Sequence, residues 1–200
     1  KDRVRMYSLN PSNGKIKQLQ AKEDVISDYS IANQAFEMVY FGLSASNSQR
    51  LYTYNLKNDA SSCLIDLSKE ILRDVTLGEV QDWNFVSAQG DTIYGRFYLP
   101  PHFDATKKYP MIVNYYGGTT PTARVMESRY PSHVYAGLGY IVYIIQPSGA
   151  TGFGQEFSAR HVNAWGKLTA DEIIEGTKKF CEEGDRSGRK SYPLRSEEHT

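Results

Sequence analysis

The stretch that decides the fold is Tyr109-Pro-Met-Ile-Val-Asn-Tyr-Tyr-Gly-Gly118, an apolar run that ends in two glycines. Met111 to Val113 are apolar and stiff, as in a strand that is buried on both faces. We therefore predict a strand over residues 111–116, with Pro110 at its entry, where a missing N–H does least harm. The glycine pair allows a sharp turn and a close backbone approach. Open α/β sheets place their chemistry at such strand ends.

A second unit of the same kind follows the first. Residues 140–145 predict another strand, which ends in Gln146-Pro-Ser-Gly-Ala-Thr-Gly-Phe-Gly154. We predict a helix over 131–138 between the two strands. A later helix is predicted to begin at Thr169, where Thr-Ala-Asp-Glu172 has the form of a capping box. Strands that alternate with helices imply βαβ units and a parallel sheet.

Residues 1 to about 75 have an all-β pattern, with short alternating segments separated by turn residues. A weak repeat of about 45 residues is compatible with propeller blades, whereas two unrelated hairpins are the alternative. A further hairpin is predicted around Gly90. The predicted strands are Arg3–Leu9, Lys15–Leu19, Val25–Ile31, Glu37–Leu43, Arg50–Leu56, Ser62–Leu67, Val80–Ala88 and Thr92–Leu99, with residues 44–49 as a polar connector.

Composition argues against several classes of function. The net charge of zero gives no electrostatic reason to bind nucleic acid. No apolar run approaches the roughly 20 residues of a membrane span. Cys63 and Cys181 fit no metal spacing, and we predict both to be small buried hydrophobes rather than a disulfide. Gly152-Phe-Gly154 lacks the lysine of a phosphate-binding loop, so we expect no cofactor. We also expect no metal.

Several motifs occur in a characteristic order across about 100 residues. They are Gln89-Gly-Asp-Thr-Ile-Tyr-Gly-Arg-Phe-Tyr-Leu-Pro-Pro101, Lys107-Lys-Tyr-Pro-Met-Ile-Val-Asn-Tyr-Tyr-Gly-Gly118, Gly152-Phe-Gly154, Trp165-Gly166 and Asp171. In this order they resemble the start of the α/β-hydrolase domain in the prolyl oligopeptidase family of serine peptidases, closest to its dipeptidyl-peptidase-like branch.

The resemblance implies a domain order and an activity. Residues 1–76 would be the C-terminal blade or blades of a β-propeller, and residues 77–183 the N-terminal part of an α/β-hydrolase peptidase domain. The parent would be a serine exo- or oligopeptidase that hydrolyses short peptides through an acyl-enzyme, and the family allows a homodimer. An acyl-peptide hydrolase or esterase of the same fold is the close alternative.

Tyr116 is the one catalytic residue that the resemblance assigns. In this family a tyrosine just before the glycine-rich turn donates its hydroxyl to the oxyanion, and the alternative role for Tyr116 is that of an ordinary loop aromatic. Strand alternation predicts that Tyr115 points the other way and packs. Gly117 and Gly118 are expected to shape the turn. Ser148 stands where the family usually carries an arginine, in an Asp-x-Arg-Gly-Ser pattern, so the ion pair of that arginine is expected to be absent.

No Gly-x-Ser-x-Gly motif occurs in the 200 residues. In α/β-hydrolases the triad follows in the order serine, acid, histidine, so we expect the nucleophile, acid and base to lie beyond the last helix and not in this chain. His102, His133 and His161 are predicted to be surface or packing residues. Asp171 is predicted to have a structural role near the positive end of the helix dipole.

The two ends of the chain have features of their own. Lys1 is not a methionine, so we expect the true start to be missing, and the lack of a signal peptide is then no evidence of a cytoplasmic location. We expect the parent to be periplasmic or secreted rather than cytoplasmic. Residues 184–200 lose all periodicity, and Arg-Ser-Glu-Glu-His-Thr200 matches one translated frame of a common sequencing adapter. We interpret 184–200, including His199, as a non-native read-through tail on an inactive fragment. A complete, non-catalytic β-rich binding module is the alternative.

Overall fold

The structure is a computed structural model that describes residues 2–164 and 166–186. These residues form two compact units. The first holds Asp2–Thr76 and Ala123–Arg129, and the second holds Leu77–Thr122 and the described residues from Tyr130 onward. Trp165 and most of the predicted tail, with His199, lie outside the described residues.

The first unit is made of antiparallel β-structure. Strands β1 and β2 form a two-stranded hairpin, and β3 to β6 form a four-stranded sheet in chain order. All six predicted strands form, and Gly14 has the positive φ expected of its turn, at 69°. These strands close no barrel among the described residues, so a propeller stays a prediction. The elements are β1 (Tyr7–Leu9), β2 (Ile16–Gln18), β3 (Val25–Ile31), β4 (Glu37–Ser44), β5 (Asn47–Asn55), β6 (Ala60–Asp66) and α1 (Ser68–Ile71).

The predicted polar connector over 44–49 is wrong. Strand β4 runs to Ser44 and β5 begins at Asn47, so only two residues lie between them. The Ser44 hydroxyl contacts the Asn47 side chain and accepts a hydrogen bond from Ser46 N at 3.2 Å. These polar side chains close a tight turn, which explains why their polarity did not mark a longer loop.

Tyrosines form much of the core of the first unit. The rings of Tyr40 and Tyr52 stack with centroids 5.1 Å apart. The Tyr52 hydroxyl donates to Glu23 Oε1 at 2.5 Å, and the Tyr40 hydroxyl donates to Ser61 Oγ at 2.9 Å. Each ring is therefore buried while its polar tip keeps a partner, which is how a tyrosine-rich strand can line a core.

The second unit combines a mixed sheet with helices. Its strand order is β10-β11-β9-β7, with β8 also paired to β9. Strands β10 and β11 are parallel, as the alternating pattern predicts, and β9 is antiparallel to β11. The elements are β7 (Val80–Asp82), β8 (Phe85–Val86), β9 (Thr92–Tyr98), β10 (Met111–Asn114), α2 (Ser132–Gly137), β11 (Ile141–Gln146), α3 (Gln155–Ala159) and α4 (Lys167–Arg186).

The predicted strand over 80–88 is divided into β7 and β8. The Asn84 side chain accepts a hydrogen bond from Gly95 N at 3.2 Å, in place of a ladder bond. Trp83, beside this break, packs edge-on against Tyr143 and Phe180, and its indole N–H donates to Glu183 Oε2 at 2.8 Å. The break therefore turns one large aromatic side chain into the core.

Burial differs between the two parallel strands. Residues Ile141 to Gln146 of β11 are all buried, whereas β10 is only partly buried because it pairs with β11 alone among the described strands. The prediction that residues 111–113 are buried on both faces is therefore wrong. Cys63 is exposed and Cys181 is partly buried, with no disulfide between them, so the prediction of two buried cysteines is also wrong.

Helix α4 begins at Lys167 rather than at Thr169. The predicted capping box is wrong, because the Glu172 carboxylate bonds to Ser148 instead of the Thr169 amide. Ile174 of this helix is 54% exposed. Gly176 faces the sheet, where an added Cβ would lie 2.6 Å from Phe85 Cε1. A buried carboxylate and a glycine therefore form part of the buried face of α4.

Candidate active site

Two loops emerge at the same edge of the sheet, because β10 and β11 are parallel and neighbouring. We call residues 115–122, which follow β10, the Tyr116 loop. We call residues 147–154, which follow β11, the Ser148 loop. The carboxyl edge of parallel strands is where α/β sheets bind ligands, so these loops form the candidate site.

Tyr115 and Tyr116 lie outside the strand. Strand β10 ends at Asn114, two residues before its predicted end, so strand alternation does not separate the two side chains. Tyr115 is 49% exposed and Tyr116 is 56% exposed. The expected packing role of Tyr115 is therefore wrong. The oxyanion role of Tyr116 stays a prediction, and its exposure leaves the side chain accessible to a substrate.

The two glycines of the Tyr116 loop have different surroundings. An ideal Cβ at Gly118 would lie 2.7 Å from Tyr116 Cε1, whereas one at Gly117 would meet nothing within 4 Å. Neither glycine is among those with positive φ. Gly118 is thus explained by the close approach of the Tyr116 ring rather than by a left-handed turn.

The far end of the Tyr116 loop is tied to the chain after β11. The Gln146 side chain accepts a hydrogen bond from Thr122 N at 2.9 Å and donates to Thr122 O at 2.7 Å. Arg96 Nη1 also donates to Thr122 O, at 3.3 Å. Thr151 N donates to Thr119 O at 2.8 Å. The two loops therefore form one hydrogen-bonded edge.

The Ser148 loop is bound to helix α4 by a buried carboxylate. Ser148 N donates to Glu172 Oε2 at 2.7 Å and Ser148 Oγ donates to Glu172 Oε1 at 2.6 Å. Ser148 is 3% exposed and Glu172 is 2% exposed. Burial raises the pKa of the Glu172 carboxyl, while the hydrogen bonds from Ser148 and the nearby Arg160 guanidinium oppose that rise.

Arg160 supplies a guanidinium near the position where the family carries its arginine. Its Nη2 donates to Asp91 Oδ1 at 2.8 Å, and its Nη1 lies 3.5 Å from Ser148 Oγ. Sequence reasoning found neither this pair nor the partners of Gln146. Arg160 and Asp91 are far apart in the chain, and no local pattern could have indicated that the fold would bring them together.

The three histidines within the described residues lie against neighbouring groups or in a loop. His133 packs edge-on against Tyr98, with centroids 5.0 Å apart. The His161 ring lies beside Gly149, where an added Cβ would be 2.6 Å from Nδ1. His102 lies in a loop with a φ of 56°. Within residues 2–164 and 166–186, no three His, Cys, Asp or Glu side chains are grouped to hold a metal ion, and no helix could cross a membrane.

Related proteins share this segment. Residues 127–191 match the model of the prolyl oligopeptidase family. The probable dipeptidyl-peptidase 5 of Aspergillus terreus is 34% identical over 94 residues, which are 46% of this chain and 12% of that protein. The dipeptidyl-peptidase 5 of Porphyromonas gingivalis is 27% identical over 188 residues, or 92% of this chain and 27% of the relative.

These matches support a member of the prolyl oligopeptidase family. The resemblance that the motifs indicate is thus confirmed. The family match covers β11, the Ser148 loop and most of the following helices, but it begins after Tyr116. The assignment of Tyr116 therefore rests on its position before the glycine pair.

Solved structures share the fold. The acylaminoacyl peptidase of Pyrococcus horikoshii superposes with a TM-score of 0.74 at 19% identity, over 87% of this chain and 27% of that one. A puromycin hydrolase superposes with a TM-score of 0.70 at 16% identity, over 92% of this chain and 28% of that one. The chain thus spans less than a third of the length of these two proteins and of the two relatives above.

Proposed function

We propose that the chain is the junction between a β-propeller and an α/β-hydrolase domain in a serine exo- or oligopeptidase. On this proposal residues 1–76 end the propeller, residues 77–183 begin the peptidase domain, and a non-native tail lies within residues 184–200, beyond the family match that ends at residue 191. The observation that carries the proposal is the half-exposed Tyr116, which lies before a glycine pair at the carboxyl edge of two parallel strands.

The site would stabilise the oxyanion of an acyl-transfer reaction. A serine outside these residues would attack the peptide carbonyl, and the carbonyl oxygen would gain the negative charge. The Tyr116 hydroxyl and a backbone amide would donate hydrogen bonds to that oxygen. Proton transfer to the amine would then break the C–N bond, and water would hydrolyse the acyl-enzyme.

The DNA sequence beyond the codon for Glu183 tests the proposal that the nucleophilic serine lies outside this chain. We expect a strand that leads into Gly-x-Ser-x-Gly, and labelling of that serine by a fluorophosphonate probe in the full-length protein. The 200-residue chain should remain unlabelled, since no activated nucleophile is expected within it. Stoichiometric labelling of a serine in the chain would refute the proposal, and a stop codon would favour the β-rich binding module.

The specificity of the parent can be assigned with two substrates. The relatives compared by sequence are named dipeptidyl-peptidases, whereas one structural neighbour is an acylaminoacyl peptidase. A peptidase that removes dipeptides should cleave a chromogenic dipeptide with a free amino terminus. An acyl-peptide hydrolase should instead prefer the N-acetylated substrate. Light scattering of the full-length protein would show whether the parent is a homodimer.

The isolated chain should be poorly stable, because its sheets leave surface that neighbouring strands would cover. Strand β10 is paired on one side only among the described strands. Tyr29, Val39 and Ile65 of the four-stranded sheet are exposed. Open edges and uncovered apolar faces favour aggregation. We expect aggregation or rapid amide exchange, and a soluble monomer with a cooperative thermal transition would contradict the fragment interpretation.

A further inference from the structure

We propose that Gln146 is a positioning residue that holds the Tyr116 loop in its working conformation. The inference rests on the proposed function, because it assigns Gln146 a role in placing the Tyr116 hydroxyl. Gln146 would not touch the substrate. It would act through the backbone of Thr122, which it binds with both ends of its side-chain amide.

The contact fixes both position and orientation. Gln146 is the last residue of β11 and is 2% exposed. Its Oε1 accepts from Thr122 N at 2.9 Å while its Nε2 donates to Thr122 O at 2.7 Å. The two bonds hold the peptide groups on both sides of the Thr122 Cα. Because the group is buried, loss of the amide would leave polar backbone atoms of Thr122 without that partner.

The rest of the Tyr116 loop needs such support. It contains Gly117 and Gly118, and glycine loses more conformational freedom on ordering than any other residue. Thr151 N binds Thr119 O at 2.8 Å, so a second attachment also comes from the chain after β11. The loop is therefore fixed at its far end, while Tyr116 stays 56% exposed. A preorganised oxyanion donor requires this combination of a fixed base and an accessible tip.

The chemistry of the contact explains why the residue is a glutamine. Thr122 presents a donor and an acceptor, and an amide side chain, which carries one of each on separate atoms, can complement both at once. The family pattern usually has an aspartate here, whose ionised carboxylate accepts hydrogen bonds but cannot donate to Thr122 O. Gln146 is thus a feature of this chain that the family pattern does not assign.

The test uses the full-length protein with three single variants. Gln146→Met keeps the approximate volume and removes both bonds, Gln146→Glu keeps the acceptor alone, and Gln155→Met changes an exposed glutamine of α3 as the control. We expect Gln146→Met to lower kcat by about tenfold or more with little change in KM, since a misplaced group loses its transition-state contact. Gln146→Glu should be intermediate and Gln155→Met close to wild type.

A double-mutant cycle separates positioning from a general loss of structure. In a Tyr116→Phe background, Gln146→Met should lower kcat by less than about twofold, because both changes remove the same contribution. Amide exchange by residues 117–122 should accelerate in Gln146→Met and not in Gln155→Met. If Gln146→Met does not fold, Gln146→Glu is carried through the same cycle.

The outcomes distinguish the inference from the proposed function. If Tyr116→Phe leaves kcat unchanged, the oxyanion role fails, and the positioning role built on it fails with it. Suppose that Tyr116→Phe lowers kcat but the Gln146 variants have no effect, or that the kcat loss of the double variant is the full product of the two single losses. In either case only the positioning role is overturned. Faster exchange without coupling in the cycle would likewise reduce Gln146 to a structural contact.

Discussion

The Tyr116 loop and the Ser148 loop follow neighbouring parallel strands, yet they use their polar groups in opposite ways. Ser148 is 3% exposed, and both its amide and its hydroxyl donate to Glu172. Tyr116 is 56% exposed and lies two residues beyond the end of β10. The hydrogen-bonding groups of Ser148 are therefore used inside the protein, and we call the Ser148 loop with its Glu172 contact the frame. The Tyr116 loop keeps a donor available for a substrate, as transition-state stabilisation requires.

The comparison also shows why the Ser148 hydroxyl should not be mistaken for a catalytic one. The Ser148 hydroxyl is bonded to a carboxylate at 2.6 Å and is enclosed, so it has no access to a substrate. This argues that a serine at the sheet edge is not in itself a nucleophile, and it supports placing the nucleophile elsewhere in the parent.

The largest expected effect comes from Tyr116→Phe in the full-length protein. Loss of one oxyanion donor should lower kcat by about 10²- to 10³-fold with KM nearly unchanged. Tyr115→Phe is the matched control, because it removes the same group from an adjacent and similarly exposed residue. Steady-state kinetics on a chromogenic dipeptide measure both, and equal small losses would remove Tyr116 from the site.

The glycine pair gives the next largest expected effect. Gly118→Ala places a Cβ about where the Tyr116 ring lies, 2.7 Å from Cε1, so the ring must move. A displacement of about 1 Å can cost up to about 10²-fold in kcat. Gly117→Ala should have little effect, since its Cβ meets nothing within 4 Å. Similar kinetics for the two variants would show that the Tyr116 ring is not held in this position.

Substitutions in the frame should change the stability of the protein rather than its catalytic rate. Glu172→Leu leaves the buried Ser148 amide and hydroxyl without their acceptor, which should cost about 1–3 kcal/mol. Ser148→Ala removes the hydroxyl alone and should cost about 1 kcal/mol. Thermal unfolding of the full-length variants measures both. If Glu172→Leu is as stable as wild type, the Ser148 loop is not fastened by this carboxylate.

The smallest expected effect is the pH dependence of the stability that the Glu172 carboxyl contributes to the frame. The pKa of the Glu172 carboxyl is raised in the folded state by burial, so the folded protein holds this proton to higher pH than the unfolded chain does. Stability from this group should therefore fall as pH rises from the ordinary carboxyl value, roughly 4, to the raised one. Glu172→Gln lacks that transition.

The melting temperatures of wild type and Glu172→Gln provide the measurement. The advantage of wild type over the variant should shrink as the pH rises through that window. The opposed effects of Ser148 and Arg160 keep the change small. An advantage that grows with pH would mean that the carboxylate is stabilised by folding, and the exposed Glu182→Gln exchange serves as a reference for nonspecific charge effects.

The sequence predicted correctly those features that depend on residues close together in the chain. Strand β3 has the predicted bounds, and Gly90 has a positive φ of 87° in its turn. Alternation and turn chemistry determine both of these features. The parallel pair β10 and β11 also followed from apolar runs separated by a helix.

The errors arose where tertiary partners override local patterns. Thr169 and Glu172 have the spacing of a capping box, but Ser148 recruits the carboxylate. Tyr115 alternates with Tyr116 in the sequence, but β10 ends before both of them. Arg160 and the Gln146–Thr122 contact depend on segments that approach only in the folded chain. Local periodicity carries no information about such partners.

The break between β7 and β8 gives this molecule an intrinsic optical reporter. Trp83 is one of only two tryptophans in the sequence, and the other is Trp165. Its indole contacts Phe180 and bonds to Glu183, both on α4. In a Trp165→Phe background, emission should come from Trp83 alone and should shift to the red when α4 separates from the sheet. The docking of this helix can therefore be followed in solution without an added label.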